Sequence, residues 1–430
     1  MKQLSWFSLP LVLVAVMAPA AIHAQTITFA PPKPISVDAD PATAQLPYNP
    51  VAGDFNGDGN ADFLVNLIGT NSFGYNNTSI PDLKVLLGNG MGGFSVFNFG
   101  NAPEFFDQYL VADVNGDGKD DILTLQGNCN PDQDRDCGGY PETGFSVFLS
   151  DGNGHFTAGY TSALPEGSAS GVVGDFNKDG KMDVAVLIYP FDTEGLEPPI
   201  LIIFLNQGNG SFLPSPFMNL TDLTNVGAYS LVTGDFTGDG DLDLAVLSSI
   251  SPANSNGLIY TLAGNGKGGF GQPQLKYSFD SSADSMVAAD LTGSPKTDLV
   301  VVLGARNAPG ANPRIATLIP KYGGGFYWGS AISTSPNIQP FDISLSDLNG
   351  DGKLDMIGTG YDGTTGKGIV LIYPGLGNGK FGTPALPLPP IGDLNLQLAA
   401  APLKRDELPS LMITYENPTL DLLVNTTKKP

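Results

Sequence analysis

Asp54-Phe55-Asn56-Gly57-Asp58-Gly59-Asn60-Ala61-Asp62 is the stretch that decides the fold, because the chain repeats it. It returns at 113–121 (DVNGDGKDD), 175–183 (DFNKDGKMD), 235–243 (DFTGDGDLD) and 347–355 (DLNGDGKLD). Oxygen-bearing side chains hold positions 1, 3, 5 and 9, and glycine holds position 6. Alternate side chains of such a loop turn inward, a backbone carbonyl at position 7 adds a donor, and the glycine permits the φ > 0 turn that closes the ring. An all-oxygen donor set at flexible spacing suits calcium better than magnesium, which wants a stricter octahedron. The expected ligands are Asp54, Asn56, Asp58, Asn60 and Asp62 in the first loop, and Asp113, Asn115, Asp117, Lys119 and Asp121 in the second. They are Asp175, Asn177, Asp179, Lys181 and Asp183 in the third, and Asp235, Thr237, Asp239, Asp241 and Asp243 in the fourth. In the loop at 347 they are Asp347, Asn349, Asp351, Lys353 and Asp355, every lysine acting through its carbonyl. Asp, Asn and Gly are also ordinary turn residues, so one copy would say little; five at regular spacing predict about five Ca2+ sites.

The gap between the loops at 235 and 347 is twice the usual one, and a degenerate copy fills it at 290–298, with Ser294 at position 5 and Pro295 in place of the glycine. Proline cannot take φ > 0, so no metal is assigned there. A fainter seventh copy spans 402–410 and is likewise left without metal. Spacings of 55 to 62 residues describe a repeat array.

A second landmark alternates with the first: an apolar strand, a glycine-rich turn, then phenylalanine. Val85-Leu86-Leu87 leads to Phe94, Val147-Phe148-Leu149 to Phe156 and Ile203-Phe204-Leu205 to Phe212, with further copies ending at Phe270, Phe326 and Phe381. The seventh is split between the chain ends: Leu422 to Asn425 gives the strand before the turn and Ile27-Thr28-Phe29 the strand after it. Each unit reads as four strands. The fold predicted is all-β: a seven-bladed β-propeller of four-stranded blades, its ring closed by pairing the N- and C-terminal strands. An EF-hand is excluded, since position 12 is Val65, Thr124, Val186, Val246 or Gly358 rather than glutamate, and no helical periodicity flanks the loops.

The D-x-N-x-D-G-x-x-D loops and G-x-G-x-F turns resemble the FG-GAP, or VCBS-type, repeats of integrin α-subunit propellers and of secreted bacterial proteins. The resemblance spans about Ile27 to Asn425. It implies a seven-bladed propeller whose loops bind calcium between the first two strands of a blade. Function it specifies poorly, because propellers host lectins, adhesins, lyases and scaffolds.

A net charge of −23 disfavours nucleic acid and anionic membranes as partners. Residues 1–24 read as a secretory signal, with Lys2, an apolar run from Leu9 to Ala21 and Ile22-His23-Ala24 before the cut. Residues 25–430 are then a single exported propeller domain, extracellular, periplasmic or on the cell surface, and expected to be monomeric. In that setting Cys129 and Cys137 are expected to form a local disulfide.

The acidic loops and glycine turns should share one face. The longer, varied connections from strand two to strand three should lie on the other, with Phe73, Tyr75, Tyr140, Tyr189, Phe191 and Tyr361 in them and Phe105, Phe106 and Tyr109 nearby. Rigid scaffold on one side and individual loops on the other is a common division of labour. It predicts an adhesion or recognition module for an extracellular protein or glycan, with a lectin as the alternative. No catalytic motif appears, and His155 is the only histidine after residue 24. The chain is therefore not expected to be an enzyme; a polysaccharide lyase using Arg135, Arg306, Arg314 or Lys367 as base is the residual alternative.

Overall fold

Apolar runs such as Asp298–Leu303 and Gly257–Leu262 are buried at every residue, while every residue of Phe156–Ala163 is half-buried or exposed. The first pattern belongs to strands covered on both faces, the second to an outer edge. The computed structural model describes residues 26–37, 45–69, 82–99, 108–126, 144–190, 197–223, 226–250, 256–304, 314–322, 324–334, 337–384, 386–387, 396–415 and 419–429. These form seven antiparallel sheets of four strands in a ring, a seven-bladed propeller. Blade 1 runs outward as Gln45–Gly53, Asp62–Gly69, Asp82–Gly88 and Phe94–Asn98, and each later blade repeats that order. Blade 3 divides its outer strand into Phe212–Pro214 and Met218–Asn219, with Pro216 between them. Helix among the described residues is limited to a 3-10 turn at Thr221–Leu223.

First strands of neighbouring blades touch around the axis, as Gln45–Gly53 does with Gln108–Ala112 and with Gln397–Pro402. Closure takes the expected form with a shifted strand. Phe29 bridges Asn425, and the paired strand lies a little further on, Lys33–Ser36 against Thr419–Leu423. Blade 7 thus contains three C-terminal strands and one N-terminal strand.

The core is seven apolar seams, one per blade junction, rather than one central cluster. The seam of blades 2 and 3 joins Leu123, Leu125 and Val147 to Val184, Val186 and Phe204; that of blades 7 and 1 joins Met412 and Leu422 to Phe63 and Val65. Position 2 of each acidic loop seals its seam from the loop face. Phe55 meets Phe156 of the next blade at 5.5 Å, Phe176 meets Phe270 at 5.4 Å, and Phe236 meets Phe326 at 6.1 Å. Val114, Leu291 and Leu348 are buried at the same place. That position is apolar in every copy, a signal for inter-blade packing that the reading of the loops as metal sites passes over.

Tyr109, grouped above with aromatics available for recognition, is buried in the seam of blades 1 and 2, and burial pushes its hydroxyl well above the usual tyrosine range. It is a core residue.

Candidate metal face and recognition face

Five acidic loops fold alike. In the first, Asp54 Oδ1 accepts from Asp58 N at 3.0 Å and its Oδ2 from Gly59 N at 2.9 Å. Asn56 Oδ1 accepts from Asp58 N at 2.8 Å, and Asp58 Oδ1 from Asn60 N at 2.8 Å. The third loop repeats this with Asp175 on Asp179 N and Gly180 N, Asn177 on Asp179 N, and Asp179 on Lys181 N. The second does so through Asp113, Asn115 and Asp117, and the loop of blade 6 through Asp347, Asn349 and Asp351. In the fourth, Asp235 accepts from Gly238 N and Gly240 N, and Asp239 from Asp241 N. Position-6 glycines supply the curl, with φ of 79° at Gly59 and 84° at Gly240.

Position 9 does something different. Asp62 is fully buried; its Oδ2 accepts from Phe55 N at 2.9 Å and its Oδ1 from Gly88 N, at the end of strand three, at 2.7 Å. Asp121 ties Val114 N to Ser150 N, Asp183 ties Phe176 N to Asn206 N, Asp243 ties Phe236 N to Gly264 N, and Asp355 ties Leu348 N to Gly375 N. Each of these carboxylates staples its loop to the neighbouring glycine turn, which puts both on one face. Burial raises their pKa, Asp62 to about 7 and Asp121 and Asp355 to about 6, against the pull of the backbone N–H groups.

Lysine at position 7 places its ammonium on the position-5 carboxylate: Lys119 on Asp117, Lys181 on Asp179 at 2.8 Å and Lys353 on Asp351 at 3.4 Å. The Lys181 ammonium holds the Asp179 carboxyl below its ordinary range. Neighbouring loops are linked around the ring. Asp120 N donates to Asp54 O at 2.9 Å, Thr297 N to Asp235 O at 2.8 Å, and Lys178 pairs with Asp241.

Among the described residues no three His, Cys, Asp or Glu side chains are gathered as a ready-made metal cage. The donor set nonetheless fits a hard cation: positions 1, 3 and 5 present oxygen only, on a loop already curled, and a carboxylate oxygen accepting one N–H keeps a lone pair for a metal. The degenerate loop of blade 5 does not fit. Asp290 Oδ1 accepts from Thr292 N and Gly293 N, and Ser294 Oγ bonds within the loop at Lys296.

On the opposite face, strand-two ends such as Gln126 and Ile188 meet strand-three starts such as Gly144 and Ile200. In blade 6 the connection is a tight turn in which Gly366 N donates to Asp362 O at 2.8 Å. Phe73, Tyr75, Phe105, Phe106, Tyr140 and Phe191 lie outside the described residues, as do Cys129, Cys137, Arg135 and Arg306. Arg314 is paired with Asp280 at 2.7 Å and lies 5.8 Å from the Trp328 ring, while Lys367 starts a strand of blade 6. His155 stands exposed beside Asp151 at 3.6 Å. No helix among the described residues is long and apolar enough to cross a membrane.

A family model described as an FG-GAP-like repeat matches residues 113–186 and 198–246. Among solved structures, a rhamnogalacturonan lyase of Bacillus licheniformis is 13% identical at a TM-score of 0.51, covering 93% of this chain and 76% of that one. Rhamnogalacturonan lyase YesW is 14% identical at a TM-score of 0.50, covering 94% of this chain and 76% of that one. At such identities the likeness is one of fold. No curated protein matches the chain.

Proposed function

We propose that this chain, a seven-bladed β-propeller whose residues 113–186 and 198–246 match an FG-GAP-like repeat, is an exported calcium-binding propeller acting as an adhesion or recognition module. Its ligand, a protein or a glycan, is taken by the varied connections opposite the acidic loops. The observation that carries the reading is the uniformity of five acidic loops, each presenting oxygens at positions 1, 3 and 5 on one face. Calcium would be held there by Asp54, Asn56 and Asp58 and by their counterparts, with the position-7 carbonyl as a further donor. Positions 9 fasten each loop to the glycine turn beside it. The metal supplies charge neutralisation and rigidity, so that recognition loops start from fixed strand ends.

Calorimetric titration of the chain from Gln25 onward, after chelator treatment, tests this. About five calcium ions should bind, and the melting temperature should fall in chelator, since a site held at a hundredfold excess over its Kd contributes about 2.7 kcal/mol. A flat titration with an unmoved melt would overturn the calcium reading. In this proposal the chain is not an enzyme. A rise in ultraviolet absorbance from unsaturated products on pectic substrates would show the lyase alternative to be right.

A further inference from the structure

The junction of blades 4 and 5 departs from the others on the loop face. Elsewhere the position-2 carbonyl is capped by the next blade. Phe55 O accepts from Ser150 Oγ at 2.6 Å, Val114 O from Gly210 N at 3.2 Å, Phe176 O from Gly268 N at 2.9 Å, Leu291 O from Gly379 N at 3.1 Å and Leu348 O from Asn425 Nδ2 at 2.8 Å. In blade 5 the corresponding glycine, Gly324, turns its N–H to Lys321 O at 3.2 Å instead. Among the described residues nothing caps Phe236 O. A pocket of about 70 Å³ opens at this point, lined by Phe236, Thr237, Thr261, Gln274, Lys276 and Phe326 among others.

Three lysines meet at this turn, on a protein whose net charge is −23. Lys276 Nζ bonds Gln274 Oε1 at 2.7 Å, and Lys296 Nζ bonds Lys321 O at 3.1 Å. A Cβ placed on Gly324 would stand 3.8 Å from Lys276 Nζ, so both ammonium groups flank the Lys321–Gly324 hydrogen bond. Among the described residues none of the three is paired with a carboxylate, unlike Lys119, Lys178, Lys181 and Lys353. Tyr322 projects from the same turn fully exposed, and Tyr327 beside it is 48% exposed.

We propose that this junction binds a carboxylate-bearing sugar of an acidic polysaccharide, with Lys276 and Lys296 taking the carboxylate and Tyr322 the apolar face of the ring. The pocket has room for a carboxylate and a water but not for a whole pyranose, which leaves the ring outside, level with Tyr322. Thr261 and Gln274 offer the donors and acceptors that ring hydroxyls need, and an aromatic ring packs on the C–H face of a sugar. The site is separate from the recognition face opposite.

The test is calorimetry with tri-galacturonate, alongside maltotriose, sodium sulfate and a poly-glutamate peptide, on the wild type and on K276Q/K296Q, Y322A and the distant control K84Q. Circular dichroism confirms that each variant is folded. Tri-galacturonate should bind at submillimolar Kd, weakened about tenfold or more in K276Q/K296Q and several-fold in Y322A, and unchanged in K84Q. Maltotriose, sulfate and the peptide should bind at least about tenfold more weakly than tri-galacturonate. No uronate binding, binding indifferent to the lysines, equal binding of maltotriose or sulfate, or preference for the peptide would each overturn the proposal.

Discussion

Blades 5 and 6 are adjacent copies of one unit and differ at two positions that carry much of its logic. In blade 6 the loop turns through Gly352 at φ 78°, and Asp355 reaches two N–H groups, those of Leu348 and Gly375. In blade 5 proline stands at both places. Pro295 replaces the turning glycine, and Pro320 occupies the strand end that in other blades donates its N–H. Asp298 is consequently left with Oδ2 on Leu291 N at 2.9 Å and on the Thr292 hydroxyl, and with a buried Oδ1 that has no partner among the described residues. The comparison separates two roles that the repeat superimposes. Positions 1, 3 and 5 shape an exposed loop suited to a cation, whereas position 9 is an internal staple between two turns. Blade 5 has lost the first and half of the second, and its strands still pair, with a bulge at Ala283–Ser285 like the one blade 6 has at Pro340–Asp342.

The largest effect should come from removing a complete staple. Asp62→Ala leaves Phe55 N and Gly88 N buried without acceptors, and we expect a loss of about 2 to 4 kcal/mol in denaturant unfolding in chelator. Asp298→Ala deprives one backbone N–H and the Thr292 hydroxyl, and a buried carboxylate oxygen already lacking a partner disappears with it; about 1 kcal/mol is expected. Equal losses would mean that the bond to the strand end contributes nothing.

Next in size is a pH dependence of the metal-free protein. Burial raises Asp62 to about 7, above its unfolded value of about 3.9, so between those values the folded chain holds a proton that the unfolded chain releases. Stability should therefore rise as pH falls from 8 towards 4 and fall as pH rises through 7, by about 1 to 3 kcal/mol for this group. Asp62→Asn should flatten that slope in chelator. A variant with the wild-type slope would assign the dependence to general charge repulsion instead.

Spacing alone makes the architecture legible: seven units, four strands each, and a ring shared between the chain ends. It treats the oxygens at positions 1, 3, 5 and 9 as equivalent, and only burial separates them, since Asp58 is exposed and Asp62 fully buried in one nine-residue loop. Tyr109 is hidden from sequence for the same reason. A tyrosine at the edge of a polar segment reads as surface until the neighbouring blade is seen to cover it. Pro320 shows the converse: no motif marks it, and its meaning appears only when the strand-end N–H groups of its counterparts are followed to their acceptors.

The smallest predicted effect is the most specific. Pro320→Ser gives blade 5 the residue that blade 2 has as Ser150, whose N–H reaches Asp121 at 2.9 Å and whose hydroxyl reaches Phe55 O at 2.6 Å. The new N–H would satisfy Asp298 Oδ1, and the hydroxyl would cap Phe236 O. Losing proline's constraint on the unfolded chain opposes this by about 0.4 to 1 kcal/mol, while the two bonds contribute about 0.5 to 1.5 kcal/mol each. A net gain of about 1 kcal/mol is expected, read as a raised denaturant midpoint at unchanged slope. The same substitution in D298A background should lose most of that gain, because the N–H then has no carboxylate to meet. If P320S stabilises both backgrounds equally, the staple is not what the proline interrupts, and the comparison of the two blades rests on the loop glycine alone.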